Sequence, residues 1–427
     1  MIRIMKDLVF SDKCLSHDHG NPLLTFQLHD QLQQSFGLDG TYAILRPRLL
    51  FWIQISALIL IQAIVAIFLA IVIYNGIIKQ RGSTFSYLLG WGFIVPFALA
   101  FPFYMIPFLD VQNRAVLVTF TATPTLVGFR CLEALYGFSP HSVEDSLWNY
   151  CIYYSSVIEL VFDEKTRMPA PATRADVLTK GMTFVMNFVT SCLLLSFMEA
   201  HTYQPFKYEP GEGSDYLFSS NFIHPGRIGN NFLSAVSTSL TISTSTIAFG
   251  FAICAIFGIR TLDVFDNPMF GSSSVSDFWG RRWNRLVHGV LKRGVYKPVR
   301  KHSSSRTLAA VAAFVASGVL HEYILMLMSL SILADAGSPE KYTTFVPLYG
   351  NQFCFFAWNG MLMALEYIIL RWSISSKVTL PNLPNLLRSM LVILMALPVA
   401  HWFTDEYVRS GFFAHYVVGF PIISRLE

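Results

Sequence analysis

Charged side chains are scarce in this chain. Asp, Glu, Lys and Arg make up 14% of its 427 residues, where an ordinary soluble domain has about a quarter. That shortage excludes a large water-facing surface. The net charge is only +4, and the basic residues gather in one loop, which argues against a nucleic-acid partner. Six cysteines, Cys14, Cys131, Cys151, Cys192, Cys254 and Cys354, are scattered without a CxxC pair or metal-ligand spacing. Neither a zinc site nor a disulfide framework is therefore expected. Cys192, Cys254 and Cys354 lie in apolar runs, where a free thiol acts as a small hydrophobe. The start, Met1 to Asp12, is charged and lacks an apolar core, so no cleavable signal peptide is expected and targeting falls to the first spanning helix. No internal repeat is visible.

Apolar residues are abundant. They form 53% of the sequence and gather into runs near the ~20 residues that carry a helix across a ~30 Å hydrocarbon core. Residues 1–49 are polar and broken, and the membrane domain is expected over 50–427. Its runs are Leu50–Tyr74, Phe85–Leu109, Ala115–Tyr136, Val177–Met198, Phe232–Ile259, Leu308–Leu333, Phe353–Leu370, Leu386–Phe403 and a short one from Phe412 to Ile423. Pro96, Pro102 and Pro107 predict a kink in the second. Pro124 interrupts the third, which reads as a span or a re-entrant piece. Ser142–Phe162 mixes aromatic and charged residues and reads as an interfacial helix. The fold class is all-α, a polytopic membrane bundle of eight or nine crossings around a central chamber.

Loop charge sets the expected orientation. From Arg260 to Arg306 there are ten Lys and Arg against Asp263, Asp266 and Asp277, a net +7. Arg371, Lys377 and Arg388 make the loop two helices later basic as well, whereas loops 200–230 and 334–350 are neutral to acidic. By the excess of positive residues on cytoplasmic loops, loop 260–307 faces the cytosol.

His321 stands near the middle of the run 308–333. An ionisable group at that depth costs several kcal/mol and normally faces a bundle interior or a wet cavity. Ser317 and Gly318, four and three residues earlier, share its helical face, which is small and polar and leaves room for a ligand. A neutral imidazole at such a site can accept a proton. A structural histidine bonded to a neighbouring helix fits the same pattern, and this site alone leaves both readings open. Glu322 points about 100° away and reads as a packing or orienting partner.

The basic loop carries Asp277-Phe278-Trp279-Gly280-Arg281-Arg282-Trp283-Asn284-Arg285. Drawn as a helix over Arg281–Gly294, it sorts Trp283, Leu286, Val287, Val290 and Leu291 onto an apolar stripe. Arg281, Arg282, Arg285, Lys292 and Arg293 fall opposite, with Asn284 and His288 on the seam. A membrane-surface helix meeting anionic headgroups would show the same faces. It would not account for the aromatic-acid cluster at the start.

These residues, followed by Val295-Tyr296-Lys297-Pro298-Val299-Arg300 and by Ser317-Gly318-Val319-Leu320-His321-Glu322, resemble the wax-synthase-like branch of the membrane-bound O-acyltransferases. The three motifs, in that order, cover 277–322. The resemblance implies that His321 is the catalytic histidine and that Asn284 is the second polar position of the active site. It implies acyl-CoA as a co-substrate rather than a bound cofactor, and no metal. Partners would be the lipid bilayer and a hydrophobic alcohol, and the location the endoplasmic reticulum. The layout is similar to fungal members that acetylate terpenoid and meroterpenoid alcohols from acetyl-CoA; wax-ester or sterol-ester synthesis is the alternative. His288 does not belong to that motif and receives no role.

The mechanism that fits is direct transfer. His321 takes the proton of the alcohol as its oxygen attacks the thioester, and Asn284 holds the carbonyl or developing oxyanion. Arg281, Arg282 and Arg285, beside Trp283, are candidates for the CoA phosphates, and Ser317 is a minor candidate nucleophile. Asn359 and Glu366, seven residues apart on one helical face, suit interhelical hydrogen bonds better than a place in the acceptor chamber. His401 is expected at the interface. A secondary transporter would also bury His and Glu in a bundle, yet the paired halves typical of such proteins are missing.

Overall fold

The computed structural model describes residues 2–12, 14–27, 40–207, 223–330, 345–376 and 383–426. Parts of the loops expected at 200–230 and 334–350, the last three positions of 308–333, and Lys377 lie outside these residues.

Among the described residues, seven helices are long and apolar enough to cross a bilayer. They are α1 (Leu49–Ile78), α2 (Thr84–Leu109), α3 (Arg114–Tyr136), α5 (Arg174–Ala200), α6 (Pro225–Phe257), α8 (Arg306–Leu330) and α9 (Asn351–Ser373). Between them lie the short helices α4 (Leu147–Ser155) and α7 (Arg285–Leu291). An eighth crossing is broken: α10 (Asn385–Val399) and α11 (His401–Arg409) meet at 57°. Pro398 stands at the break, where it removes a backbone donor. Carbonyls beside the break find partners on other helices, since Trp358 donates to Met395 O at 3.1 Å and Asn231 to Leu397 O at 2.8 Å. Such repair is what backbone at membrane depth requires.

A small antiparallel sheet joins the two ends of the described chain. Strand β1 (Leu24–Gln27) pairs with β2 (Thr41–Leu45), and β2 pairs with β3 (Ile422–Leu426) in the register Thr41 to Leu426 and Leu45 to Ile422. The strands before α1 and after α11 thus lie on one face of the bundle. Side-chain bonds show which helices run from this face to the other. At its start α3 sits by the sheet, where Asn113 donates to His415 O at 2.9 Å. At its end Glu133 accepts from Arg293 of the basic loop at 3.0 Å. Likewise Ser389 on α10 bonds Ser272 O in the basic loop at 2.8 Å, and Ser410, just after α11, bonds Arg114. Both segments cross. Among the described residues up to eight helical crossings put the sheet and the basic loop on opposite faces, within the range the apolar runs predict, and 114–136 is long and apolar enough to be one of them.

The core divides along this axis. One cluster, with Phe51, Leu58, Leu109, Phe120, Phe413 and Phe420, lies toward the sheet. Another packs Ile73, Ile77, Cys131 and Leu135 against Tyr150, Tyr153 and Tyr154 of α4. The helix expected over 142–162 is shorter, Leu147–Ser155, with Tyr150, Tyr153 and Tyr154 buried and Leu147 and Trp148 exposed. Its anchor is α3: Arg130 donates to Tyr153 O and Ser156 O, both at 2.7 Å, and Glu133 accepts from the Tyr153 hydroxyl at 2.6 Å. Large apolar side chains such as Leu60, Phe68, Leu178 and Met182 stay exposed on the spans, as lipid-facing positions do. The segment 412–423 is a short helix, α12 (Phe412–Tyr416), followed by a turn and the start of β3, not a crossing.

Candidate active site

The basic loop folds back onto the ends of α8 and α9. Ser274 caps a first turn by accepting the Asp277 amide at 3.0 Å, and a wide π-helical turn runs over Phe278–Arg282. The chain then extends at Trp283 and turns left-handed at Asn284, with φ 38° and ψ 63°. Asn tolerates that conformation better than most residues. Its Oδ1 accepts the Val287 amide at 3.2 Å and so starts α7, which is the work of an N-cap. The helix expected over Arg281–Gly294 is thus broken at Asn284, and a second π-helical turn follows at Lys292–Tyr296. Because the cap occupies Oδ1, the Asn284 amide nitrogen is the part left to donate.

Asp277 organises the turn. Its Oδ2 accepts from Arg282 Nε at 2.9 Å and from the Ser273 amide at 3.0 Å. Burial pushes the carboxyl up, but the Ser273 amide and Arg282 guanidinium outweigh it and hold Asp277 below the usual carboxylate range. Phe278 stacks on Trp283 at 5.4 Å, and Trp279 meets Trp283 edge-on at 6.0 Å. Trp279 also donates to Asn359 Oδ1 at 3.1 Å, while Glu366 accepts from the Ser276 amide and hydroxyl at 2.9 and 2.7 Å. Asn359 and Glu366 bond between elements as their spacing suggests, and here they fasten the loop to α9. Glu322 acts similarly, accepting the Phe353 amide at 2.9 Å near the start of α9.

His321 lies fifteen residues into α8, about 22 Å along it at 1.5 Å per residue. Its ring stacks on Phe356 at 4.7 Å, meets Phe403 edge-on at 4.9 Å, and places Nδ1 3.4 Å from the Tyr407 hydroxyl. Tyr407 has no sequence signal, being one aromatic among many and 86 residues away. Two cavities meet at the imidazole. The first, about 330 Å³, runs along α8 past Ala310, Ala313, Phe314 and Ser317 to His321, with Asn284 and His288 on its α7 wall. The second, about 110 Å³, lies beyond them among α6, α9, α10 and α11. His321, Asn284, Trp279, Trp283 and Phe356 line both.

Several expected residues fall elsewhere. Gly318 does not leave space for a ligand: a Cβ there would stand 2.9 Å from the Phe353 ring, so the glycine allows α8 and α9 to close. Arg281 and Arg285 are exposed, and Arg282 is engaged with Asp277; none of the three lines either cavity. The basic side chain that does is Lys292. Arg293 leaves the basic face altogether. It forms ion pairs with Glu133 and Glu159, each at 3.0 Å, because α7 packs against α3 and not on a flat surface. His401 is buried at the α10–α11 break rather than interfacial. His288, on the cavity wall, is lowered to about 4 by burial and by the nearby cations Lys292, Arg293 and Arg285. Among the described residues there is no cluster of His, Cys, Asp or Glu able to hold a metal ion.

Residues 262–346 match the model of the membrane bound O-acyl transferase family. Two curated relatives are similar over part of the chain. The Arabidopsis thaliana acyl-CoA–sterol O-acyltransferase 1 is 39% identical over 83 residues, 18% of this chain and 24% of the relative. The Simmondsia chinensis long-chain-alcohol O-fatty-acyltransferase is 24% identical over 196 residues, 44% of this chain and 49% of the relative. The matches thus span half or less of those relatives' lengths. Over these stretches the chain is similar to the membrane bound O-acyl transferase family and to relatives of the sterol- and long-chain-alcohol-acylating kind.

Proposed function

We propose that the protein transfers an acyl group from acyl-CoA to the hydroxyl of a hydrophobic alcohol at His321. One observation carries this reading: the His321 imidazole and the Asn284 amide line both cavities, so two substrates can meet at them from different sides. The thioester arm, we infer, enters along α8 from the basic loop, with that loop on the cytosolic face of an endoplasmic reticulum membrane; the loop's net positive charge supports this orientation. In the tautomer with hydrogen on Nδ1, His321 donates to the Tyr407 hydroxyl, and Nε2 keeps its lone pair. Nε2 takes the alcohol proton as the oxygen attacks the thioester carbon, the general-base step. The oxyanion receives the Asn284 amide hydrogen. Collapse of the intermediate expels the CoA thiolate, which takes the proton from the imidazolium, and the ester is released.

The donor we infer is acetyl-CoA, and the acceptor a polycyclic, terpenoid-type alcohol. The room beyond His321 supports a short acyl group. A cavity of about 150 Å³ is the size that takes benzene, and the inner one is about 110 Å³, enough for a few carbons and not for a fatty chain. Likeness to a sterol O-acyltransferase and a long-chain-alcohol O-fatty-acyltransferase favours a second reading, long-chain acyl transfer to a fatty alcohol or sterol. Membranes containing the protein, given labelled acetyl-CoA or palmitoyl-CoA with terpenoid, sterol and linear alcohols, separate the two. His321→Ala should lower the transfer at least about 100-fold, the lower end of what a general base contributes. Undiminished transfer by that variant would refute the mechanism.

A further inference from the structure

A third cavity lies apart from His321. It is the largest of the three described, about 560 Å³, and opens between α5 and α6 under the loop segment 263–270. Its walls are polar on two apolar spans. Thr183, Asn187 and Thr190 of α5 line it at i, i+4 and i+7, and Ser239, Ser243 and Thr246 of α6 line it with the same spacing. That spacing puts each trio on one helical face.

Polar residues on facing spans commonly hold helices together. Here that task is met at two points, by Asn187 to Ser243 at 2.9 Å and Ser191 to Thr244 at 3.1 Å. The cleft remains open beside them. Thr183, Thr190 and Thr246 donate to carbonyls of their own helices, at 2.8, 2.8 and 2.7 Å. A hydroxyl has two lone pairs besides its one hydrogen, so these walls offer acceptors to a ligand that brings O–H donors. Scaled against the ~150 Å³ that holds benzene, the volume suits a molecule of three or four fused rings.

The cleft is also next to the inner chamber. Thr238 and Ile242 of α6 line the chamber, while Ser239 and Ser243 line the cleft, so one helix is the shared wall. Met269 lines both cavities. Methionine is unbranched, with three rotatable bonds and a soft sulfur, and adapts to different shapes at low cost.

We propose that the α5–α6 cleft receives the acceptor, a polycyclic alcohol with more than one oxygen function, and that Met269 is the gate through which its reacting hydroxyl reaches His321. This rests on the acyl-transfer reading above. The cleft fixes the acceptor by its other oxygens, and a linear alcohol with a single hydroxyl gains less from these walls.

The test uses the full chain in lipid nanodiscs, with acetyl-CoA and two probes: a tetracyclic diol and hexadecanol. Met269→Trp should raise KM for the diol at least tenfold, and by more than it raises KM for hexadecanol. Ser243→Leu, inside the cleft, should raise the diol KM and narrow the preference for diol over hexadecanol. A diazirine derivative of the diol should label 179–190 or 232–247, and unlabelled diol should compete. Labelling needs no turnover, so it judges the cleft even if no acyl transfer is found, an outcome that would count against the acyl-transfer reading alone. Labelling confined to other segments, or a diol KM indifferent to Met269→Trp, overturns the proposal.

Discussion

Asn284→Asp separates the chemical duty of this residue from its structural one. The carboxylate keeps an oxygen where Oδ1 now accepts the Val287 amide at 3.2 Å, and an acid is welcome at a helix start. Asp also tolerates the left-handed backbone at φ 38°. What disappears is the N–H donor, and a negative charge takes its place beside the developing oxyanion. Loss of one such donor costs about 10²–10³ in kcat, roughly 2.7–4 kcal/mol, and the added charge increases that loss. The melting temperature should stay near the parent's. Asn284→Ala gives a contrasting pattern: it loses the cap, worth about 1 kcal/mol, and strains a left-handed residue by roughly 1–2 kcal/mol. Asn284→Gly escapes the strain, so it should melt above the alanine variant and be equally inactive. The assay is saturating acetyl-CoA transfer in solubilised protein, with melting followed in parallel. A kcat for Asn284→Asp within threefold of the parent, or activity tracking melting temperature across the series, would show that the amide nitrogen does no chemistry.

Tyr407→Phe removes the hydroxyl beside His321 Nδ1; a hydrogen bond of about 0.5–1.5 kcal/mol predicts a two- to tenfold lower kcat with acyl-CoA KM unchanged. Arg293→Met strands Glu133, which is 0% exposed, and breaking a buried pair costs about 3–5 kcal/mol. Melting in detergent should fall markedly, with partial recovery in Arg293→Lys. His288, depressed to about 4 from an ordinary 6.5, is neutral in the fold while the unfolded chain still takes up a proton. Its stabilising share is complete above about pH 6.5 and is lost as pH falls through 4. His288→Gln should therefore flatten the stability profile between those values, and an unchanged slope would refute the assignment.

The spans were legible because the bilayer imposes length and apolarity together, and each long run in the sequence became a helix or, at Pro398, two. His321 was legible for the same reason, since one imidazole in a run of aliphatics has a strong local contrast. Asn284 was readable as an important residue only by resemblance. Its geometry was hidden, because a 100° periodicity assumes an unbroken helix, and the left-handed turn at 284 resets the faces after it. Arg293 shows the effect: placed on the exposed side by counting, it turns inward because Glu133 and Glu159 arrive from segments more than 130 residues earlier. Tyr407 and Met269 belong to the site by packing alone. Gly318 read from the sequence as room for a ligand, whereas the Phe353 ring beside it makes it room for a helix.

The sheet has a consequence for the order of assembly. β2 is synthesised ahead of the described crossings, and its partner β3 after them. Throughout translation the β3-facing edge of β2 therefore stands with its backbone groups unsealed, a state prone to pairing with the wrong neighbour. A message cut short just before Ile422 would yield every described crossing and both cavities at His321 without the closing clasp. Such a product tests whether the last five residues of the ladder serve folding yield and longevity rather than turnover.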